Sequence, residues 1–385
     1  MSITSEIQRI QGNISDAYNS CAVKGATMPV VQNSAYLADT INSITGGGGG
    51  DTDGYVLGVG KYYIDNGVAK SPQAGDVSNA FKNISIIDSD AMNGACANMY
   101  NITGSVDFSN LQEVWANGLK FCFDNCYSLN GDVNLPKLEY AGLDSFQYSF
   151  RRCFNIKNVT IGINIIERTW VFFSAFIDSG LTSLSFPNLH TVIDYNASTR
   201  ANGAYSFQNI AGSSNVIFAN FPNLENVAGT YVFDNAFNNC RFLNDVNLEK
   251  LQYIGASSFR SAFQGCISLQ SINFPSLKTV RGNGLNSCFY GCSNLKYAYL
   301  NSVNNISYNR AIGNCFAYCS NLMDIYFNSL TSSSFGSVSN QFSSMLIGVN
   351  GCNVHFPAAI QSTISGWSDV TSGFGGTNTT VLFDL

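Results

Sequence analysis

Apolar residues recur along most of this chain in a fixed long pattern rather than in the short periods of an isolated helix or strand. The strings Phe237-Asn-Asn-Cys240-Arg-Phe-Leu243-Asn-Asp-Val246-Asn-Leu248 and Phe263-Gln-Gly-Cys266-Ile-Ser-Leu269-Gln-Ser-Ile272-Asn-Phe274 match position by position. Phe289-Tyr-Gly-Cys292-Ser-Asn-Leu295 and Phe316-Ala-Tyr-Cys319-Ser-Asn-Leu322 repeat their first half. With the Phe as position zero, Cys stands at +3, Leu at +6, Val or Ile at +9 and Phe or Leu at +11, often with Pro at +12. Aliphatic residues follow at +14 and +17. The zero positions are Cys96, Phe123, Phe150, Phe176, Phe207, Phe237, Phe263, Phe289, Phe316 and Phe342, at intervals of 26–31 residues. The two longest intervals place insertions around Tyr195–Tyr205 and Ser213–Ala219, and Phe81, Ile84, Ile87 and Met92 read as an opening half-repeat.

A repeat of this length marks a stacked array. Positions +9 and +11 point to one face of a short strand, and +8 and +10 to the other. A unit this small cannot bury its own apolar side, so successive units must stack and share a core. The pattern predicts a solenoid of about ten repeats, with short parallel strands on one face and columns of Phe and Cys inside. Cys126, Cys153, Cys240, Cys266, Cys292 and Cys319 hold +3, where Met99, Ser179, Ile210 and Met345 take their place. Such interchange implies a small buried apolar site holding a free thiol.

The start and the end of the chain break the pattern. Ile3, Ile7, Ile10, Ile14, Ala17 and Cys21 form one helical stripe. Gly25 and Pro29 end it, and Asn33 caps a second short helix bearing Leu37, Ile41 and Ile44. The expected organisation is a helical attachment or oligomerisation module over 1–45, a Gly-rich linker over 46–53, a capping hairpin over 54–80 turning at Asp65-Asn66-Gly67, the solenoid over 81–350 and a cap over 351–385. Ile at both kinds of core position in the stripe predicts a homotrimer held through Ile3, Ile7, Ile10, Ile14 and Ala17.

Composition narrows the function. Only 11% of residues are charged and the net charge is −6 without a Lys/Arg cluster, which argues against nucleic acid. The apolar runs are too short and broken to cross a membrane. The opening Met1-Ser2-Ile3-Thr4-Ser5-Glu6 does not read as a secretory signal, so the twelve Cys are expected as thiols. The pairs Cys122/Cys126, Cys288/Cys292 and Cys315/Cys319 suggest zinc, but four converging ligands are needed and the chain has two His. His190 and His355 lie in a repeat loop and in the closing strand, with no triad around them. No enzyme activity, catalytic residue, metal or cofactor is expected. The sheet face offers one constellation: Tyr297, Tyr299 and Tyr326 at exposed positions, flanked by Asn273 and Asp324. This cluster reads equally as cross-strand pairing and as a ligand platform.

The repeat Ala262-Phe263-Gln-Gly-Cys266-Ile-Ser-Leu269-Gln-Ser-Ile272 resembles the BspA-like leucine-rich repeats, and the likeness runs over about residues 80–357. It implies a leucine-rich-repeat solenoid and, in that family, bacterial surface or secreted adhesins that bind host proteins. The closing segment from Val354-His355-Phe356-Pro357 to Leu385 is similar to the family's end. The opening is similar to something else. Ser2-Ile-Thr-Ser-Glu-Ile7, Lys24-Gly-Ala-Thr-Met-Pro29 and Leu37-Ala38 resemble the start of tail-associated proteins of phages and prophages of gut Gram-positive bacteria. That likeness implies a receptor-binding protein of the virion tail, assembled in the cytoplasm. Its partners would be other tail proteins and a cell-surface receptor, protein or glycan. A BspA-type adhesin on the bacterial surface is the alternative.

Overall fold

The computed structural model describes residues 55–56, 63–65, 68–70, 75–78, 80–193, 205–307, 309–335 and 340–385. The chain divides into two units, Met1–Thr52 and Asp53–Leu385. The helical module expected at 1–45, its trimer contacts and the linker lie outside the described residues, and all that follows concerns the second unit.

The repeats stack as a parallel-strand solenoid. One ladder runs through Val106–Asp107, Asn130–Leu135, Asn155–Ile161, Ser183–Ser185, Phe218–Asn220 and Asp245–Asn247 as a six-stranded sheet. It resumes as a five-stranded sheet of Ser271–Asn273, Tyr297–Tyr299, Asp324–Tyr326, Asn353–His355 and Thr380–Leu382. Alternation sets the faces as expected: Ala298 and Ile325 point inward and are buried, while their neighbours on the strand are part-exposed. A second parallel ladder, from Ile165–Ile166 to Asn305–Ile306, stacks two-residue strands at +15 and +16 in its first three repeats and at +16 and +17 in its last three. The sequence showed only its buried aliphatic member, because two residues are too few to display alternation.

Between the ladders the chain runs as consecutive tight turns. Backbone N–H groups alternate their targets: Ala262 N–H bonds Phe259 O within the turn, and Phe263 N–H bonds Cys288 O of the next repeat. Every fourth residue is left-handed, as at Ser257, Ser261 and Gly265 (φ 55°, 53° and 73°). Asn, Asp, Ser and Gly carry most of these positions, because a short polar side chain or none tolerates positive φ best. The Asn- and Ser-rich composition is therefore built into the turns.

The hydrogen bonds across repeats correct the register in two units. Phe237 N–H bonds the residue before Phe263, whereas Phe176 N–H bonds Ile210 O and Phe316 N–H bonds Met345 O. Position zero is thus Ala211 and Leu346, with Phe207 and Phe342 four residues upstream. Phe207 stacks instead on Phe172 and Phe233 at 5.6 and 4.6 Å. The core holds two Phe columns four residues apart, so aligning on Phe alone can settle on either. With the register corrected, the interval from Phe176 to Ala211 is 35 residues rather than 31, and the next is 26. The interval from Phe316 to Leu346 likewise becomes 30 rather than 26, so two insertions remain: one within 194–204, outside the described residues, and a shorter one between Leu330 and Gln341, where Ser332–Phe335 forms a 3-10 helix. Ser213–Ala219 is ordinary repeat.

The columns form one continuous core. In the zero column Phe123, Phe150 and Phe176 stack at 5.0 and 5.2 Å, and Phe237, Phe263, Phe289 and Phe316 at 5.5, 5.4 and 5.7 Å. All are buried. The eleven described cysteines are buried free thiols. The +3 thiols do more than fill space: Cys266 Sγ donates to Phe237 O at 3.1 Å and Cys292 Sγ to Phe263 O at 3.1 Å. The same bond recurs at Cys126, Cys153, Cys240 and Cys319. Ser214, the true +3 residue of its repeat, donates to Phe176 O at 2.8 Å. The shifted alignment of Ile210 had hidden this donor, whereas Met99 and Val349 hold +3 in the first and last repeats without one.

Tyr63–Asp65 and Val68–Lys70 pair antiparallel as a hairpin, while Tyr55–Val56 adds parallel to Ile86–Ile87. At the other end Gln361–Ile364 and Ser368–Thr371 are short helices before the last strand, Thr380–Leu382, with Ile360, Ile364 and Phe374 buried. No helix among the described residues is long and apolar enough to cross a membrane.

Candidate binding surface

Register alone brings the tyrosines together. Parallel pairing sets Asn273, Tyr299, Tyr326 and His355 in one column, and Ser271, Tyr297, Asp324 and Asn353 in the next. Tyr299 and Tyr326 stack at 5.3 Å with an 8° interplanar angle, and Tyr326 and His355 at 4.5 Å and 11°. Tyr297 lies 6.4 Å from Tyr299. Asn273 is exposed at the end of the column.

The sequence placed His355 in the closing strand and gave it no role, but the structure makes it the third ring of the ridge. The signal was present: Asn353-Val-His355-Phe aligns with Asp324-Ile-Tyr326-Phe. Asp384 carried no such signal. His355 Nδ1 lies 3.0 Å from Asp384 Oδ1, and its Nε2 lies 3.2 Å from Asp324 Oδ1. Asn353 Nδ2 donates to the same Asp324 oxygen at 3.0 Å. These bonds lock the imidazole edge-on between two carboxylates. Burial and the neighbouring Asp324 carboxylate push the Tyr326 phenol above its ordinary pKa.

This geometry changes what the ridge can offer. The ring faces of Tyr326 are covered by Tyr299 and His355, so a partner meets ring edges and phenol hydroxyls. The result is a rigid line of hydroxyls flanked by the Asp324 and Asp384 carboxylates. His190 sits apart and exposed, its carbonyl accepting from Glu225 and Asn226 N–H. Among the described residues no group of three or more His, Cys, Asp or Glu is placed to hold a metal ion. Burial drives the thiols of Cys240, Cys292 and Cys352 toward the protonated form, up to about 12.

The same outward face is different at the other end of the sheet. Ser105, Asp107, Ser109, Asp132, Asn134 and Thr160 line an open concavity together with Gly131 and Pro136. Asp132 there accepts from Asn158 N–H and Nδ2 at 3.2 and 2.8 Å. The face thus passes from a polar trough to an aromatic ridge.

A family model described as BspA type leucine rich repeat region matches in six copies, over residues 79–204, 120–261 and 230–350, which together span well over half the chain. No curated protein matches. Solved structures with similarity include a leucine-rich repeat protein from Bacteroides ovatus, at 15% identity and TM-score 0.33, covering 81% of this chain and 83% of that one. The pneumococcal vaccine antigen PcpA is also 15% identical with TM-score 0.33, covering 86% and 84%. A leucine rich cell surface protein from Faecalibacterium prausnitzii is 13% identical with TM-score 0.22, covering 72% and 93%. The family assignment rests on the repeat match, not on these structures.

Proposed function

The chain belongs to the BspA-type leucine-rich-repeat family, and from that premise we propose that it is a non-enzymatic adhesin displayed at a bacterial surface, binding a host protein through its sheet face. The observation that carries the reading is the ridge of Tyr299, Tyr326 and His355, with Tyr297, Asp324 and Asn273 beside it. Strand pairing already fixes the rings, so little side-chain freedom is left to lose on binding. Rigid tyrosines with a polar border are the composition that protein interfaces favour. No cofactor or metal enters this account.

The virion-tail reading is the second choice. It rests on a pattern in the first 45 residues, whereas the family match begins at residue 79. The two readings separate by location. Gold-labelled antibody against the solenoid should decorate intact cells of the bacterium that encodes the chain. Label confined to the tails of induced phage particles would reverse the order.

A further inference from the structure

The turn layer contains a second aromatic line that the fold does not ask for. Phe121, Tyr148, Trp170, Tyr205 and Tyr231 all sit at left-handed positions, with φ of 54°, 54°, 61°, 44° and 57°. At the equivalent positions of other turns stand Asn117, Asp144, Asn235, Ser257 and Asn283. Those short polar residues suit positive φ, whereas a bulky aromatic there is strained. Strain of this kind gathers at functional surfaces when surrounding structure enforces it.

The five rings are joined through Phe173 into one line. Phe121–Tyr148, Tyr148–Phe173, Phe173–Trp170, Trp170–Tyr205 and Tyr205–Tyr231 have centroids 5.1, 5.4, 4.6, 4.8 and 5.2 Å apart. All six are only half-buried. Midway the stacking breaks: Phe173 meets Tyr148 at 88° and Trp170 at 55°, so ring faces there are not covered face to face. Two arginines lie over the line, Arg151 4.8 Å from the Tyr148 centroid and Arg260 4.8 Å from that of Tyr231. Both are spoken for. Arg151 forks onto Asp124 at 2.8 and 2.6 Å, and Arg260 onto Asp234 at 2.9 and 3.0 Å, and both carboxylates are buried.

We propose that this line is a binding strip for a neutral polysaccharide, separate from the tyrosine ridge. A third cation, Lys120, lies 5.9 Å from the Phe121 ring centroid and 3.5 Å from the Asp144 carboxylate, so every cation over the rings has a carboxylate partner, which disfavours a phosphate or an acidic peptide. What the strip offers is phenol hydroxyls, an indole N–H and patches of ring surface, which match sugar hydroxyls and C–H faces. Its shape agrees. It is one side chain wide and crosses five turns, roughly 20 Å at a ~4.8 Å repeat spacing. A standard protein interface needs about 800 Å² on each partner, more than so narrow a strip supplies, whereas a linear glycan needs only its length. The proposal rests on the binding reading above but not on the ridge.

The test is affinity electrophoresis of the full chain through gels containing a neutral β-glucan, xylan or mannan. It is run alongside the triple variant Trp170→Asn, Tyr205→Asn, Tyr231→Asn, the single Trp170→Asn and the ridge variant Tyr299→Ala, Tyr326→Ala. The wild type and the ridge variant should be retarded by at least one of these polysaccharides. The triple variant should lose that affinity at least tenfold, with a melting temperature within a few degrees of wild type or above it, and Trp170→Asn should fall between. Three results would overturn the proposal: no retardation of wild type, unchanged retardation of the triple variant, or a melting temperature lowered more than 10 °C in both strip variants. Loss of host-protein binding in the ridge variant alone concerns the ridge and leaves the strip standing.

Discussion

Replacing Phe263 by Ala removes one ring from the middle of the zero column and asks how much the stack depends on it. The ring is 1% exposed and lies between Phe237 at 5.5 Å and Phe289 at 5.4 Å, both nearly parallel to it. Phe-to-Ala changes at buried sites cost about 3–5 kcal/mol from lost transfer energy and the cavity left behind. Each lost stacking partner accounts for roughly 0.5–1.5 kcal/mol beyond buried area. Collapse is hindered here, because strands pair on one side and turn hydrogen bonds from Phe263 to Cys288 O hold the other. The upper part of the range, about 4–5 kcal/mol, is therefore expected. In a stacked array the loss is shared with neighbours, so urea unfolding should show a lowered midpoint, and amide exchange should quicken over residues 237–290 before it does near residue 120. A loss below about 1 kcal/mol, or exchange that quickens evenly along the chain, would refute the reasoning.

Three further outcomes follow from the core and its edges. Cys266→Ser keeps a donor for Phe237 O, as Ser214 does naturally, and should cost less than Cys266→Ala by about 0.5–1.5 kcal/mol; equal midpoints would make the thiol bond idle. Thiols pushed up to about 12 in Cys240, Cys292 and Cys352 keep their protons when the unfolded chain, near 8.5–9, has lost them. Stability should be complete below about pH 9 and fall from there toward pH 12. The urea midpoint against pH should show this slope, and Cys240→Ser with Cys292→Ser should make it shallower. Arg260→Ala strands the buried Asp234 carboxylate, leaving it Gln208 Nε2 at 2.8 Å among the described residues. Because Arg260 is itself 43% exposed, the cost should be roughly 2 kcal/mol rather than the 3–5 of a fully buried pair, and a neutral result by thermal melting would count against it.

The solenoid was legible because its constraint is one of spacing: Phe263, Cys266, Leu269 and Ile272 must meet their counterparts in each repeat to be buried at all. Register within the stack was less so. Phe207 and Phe342 satisfy the Phe position in pattern while lying in the neighbouring column, and only cross-repeat hydrogen bonds distinguish the two. Left-handed φ was also hidden, since Trp170 or Tyr231 gives no hint of a backbone that Asn117 or Ser257 would suggest. In the candidate ridge, Tyr297, Tyr299, Tyr326, Asn273 and Asp324 were found by counting strand positions. His355 joined them because the cap adds a strand in register, and Asp384 because the last strand pairs parallel beside it and ends two residues before Asp384.

The central claim is that the ridge holds a partner, and a binding measurement on host cells tests it most directly. Labelled full chain and its Tyr299→Ala, Tyr326→Ala variant are titrated onto cultured epithelial cells and onto immobilised extracellular-matrix proteins, with melting temperature recorded for both. The native chain should bind saturably, and the variant should lose at least tenfold in affinity while still melting cooperatively. Binding that is undiminished in the folded variant, or no saturable binding by the native chain to either surface, would contradict it.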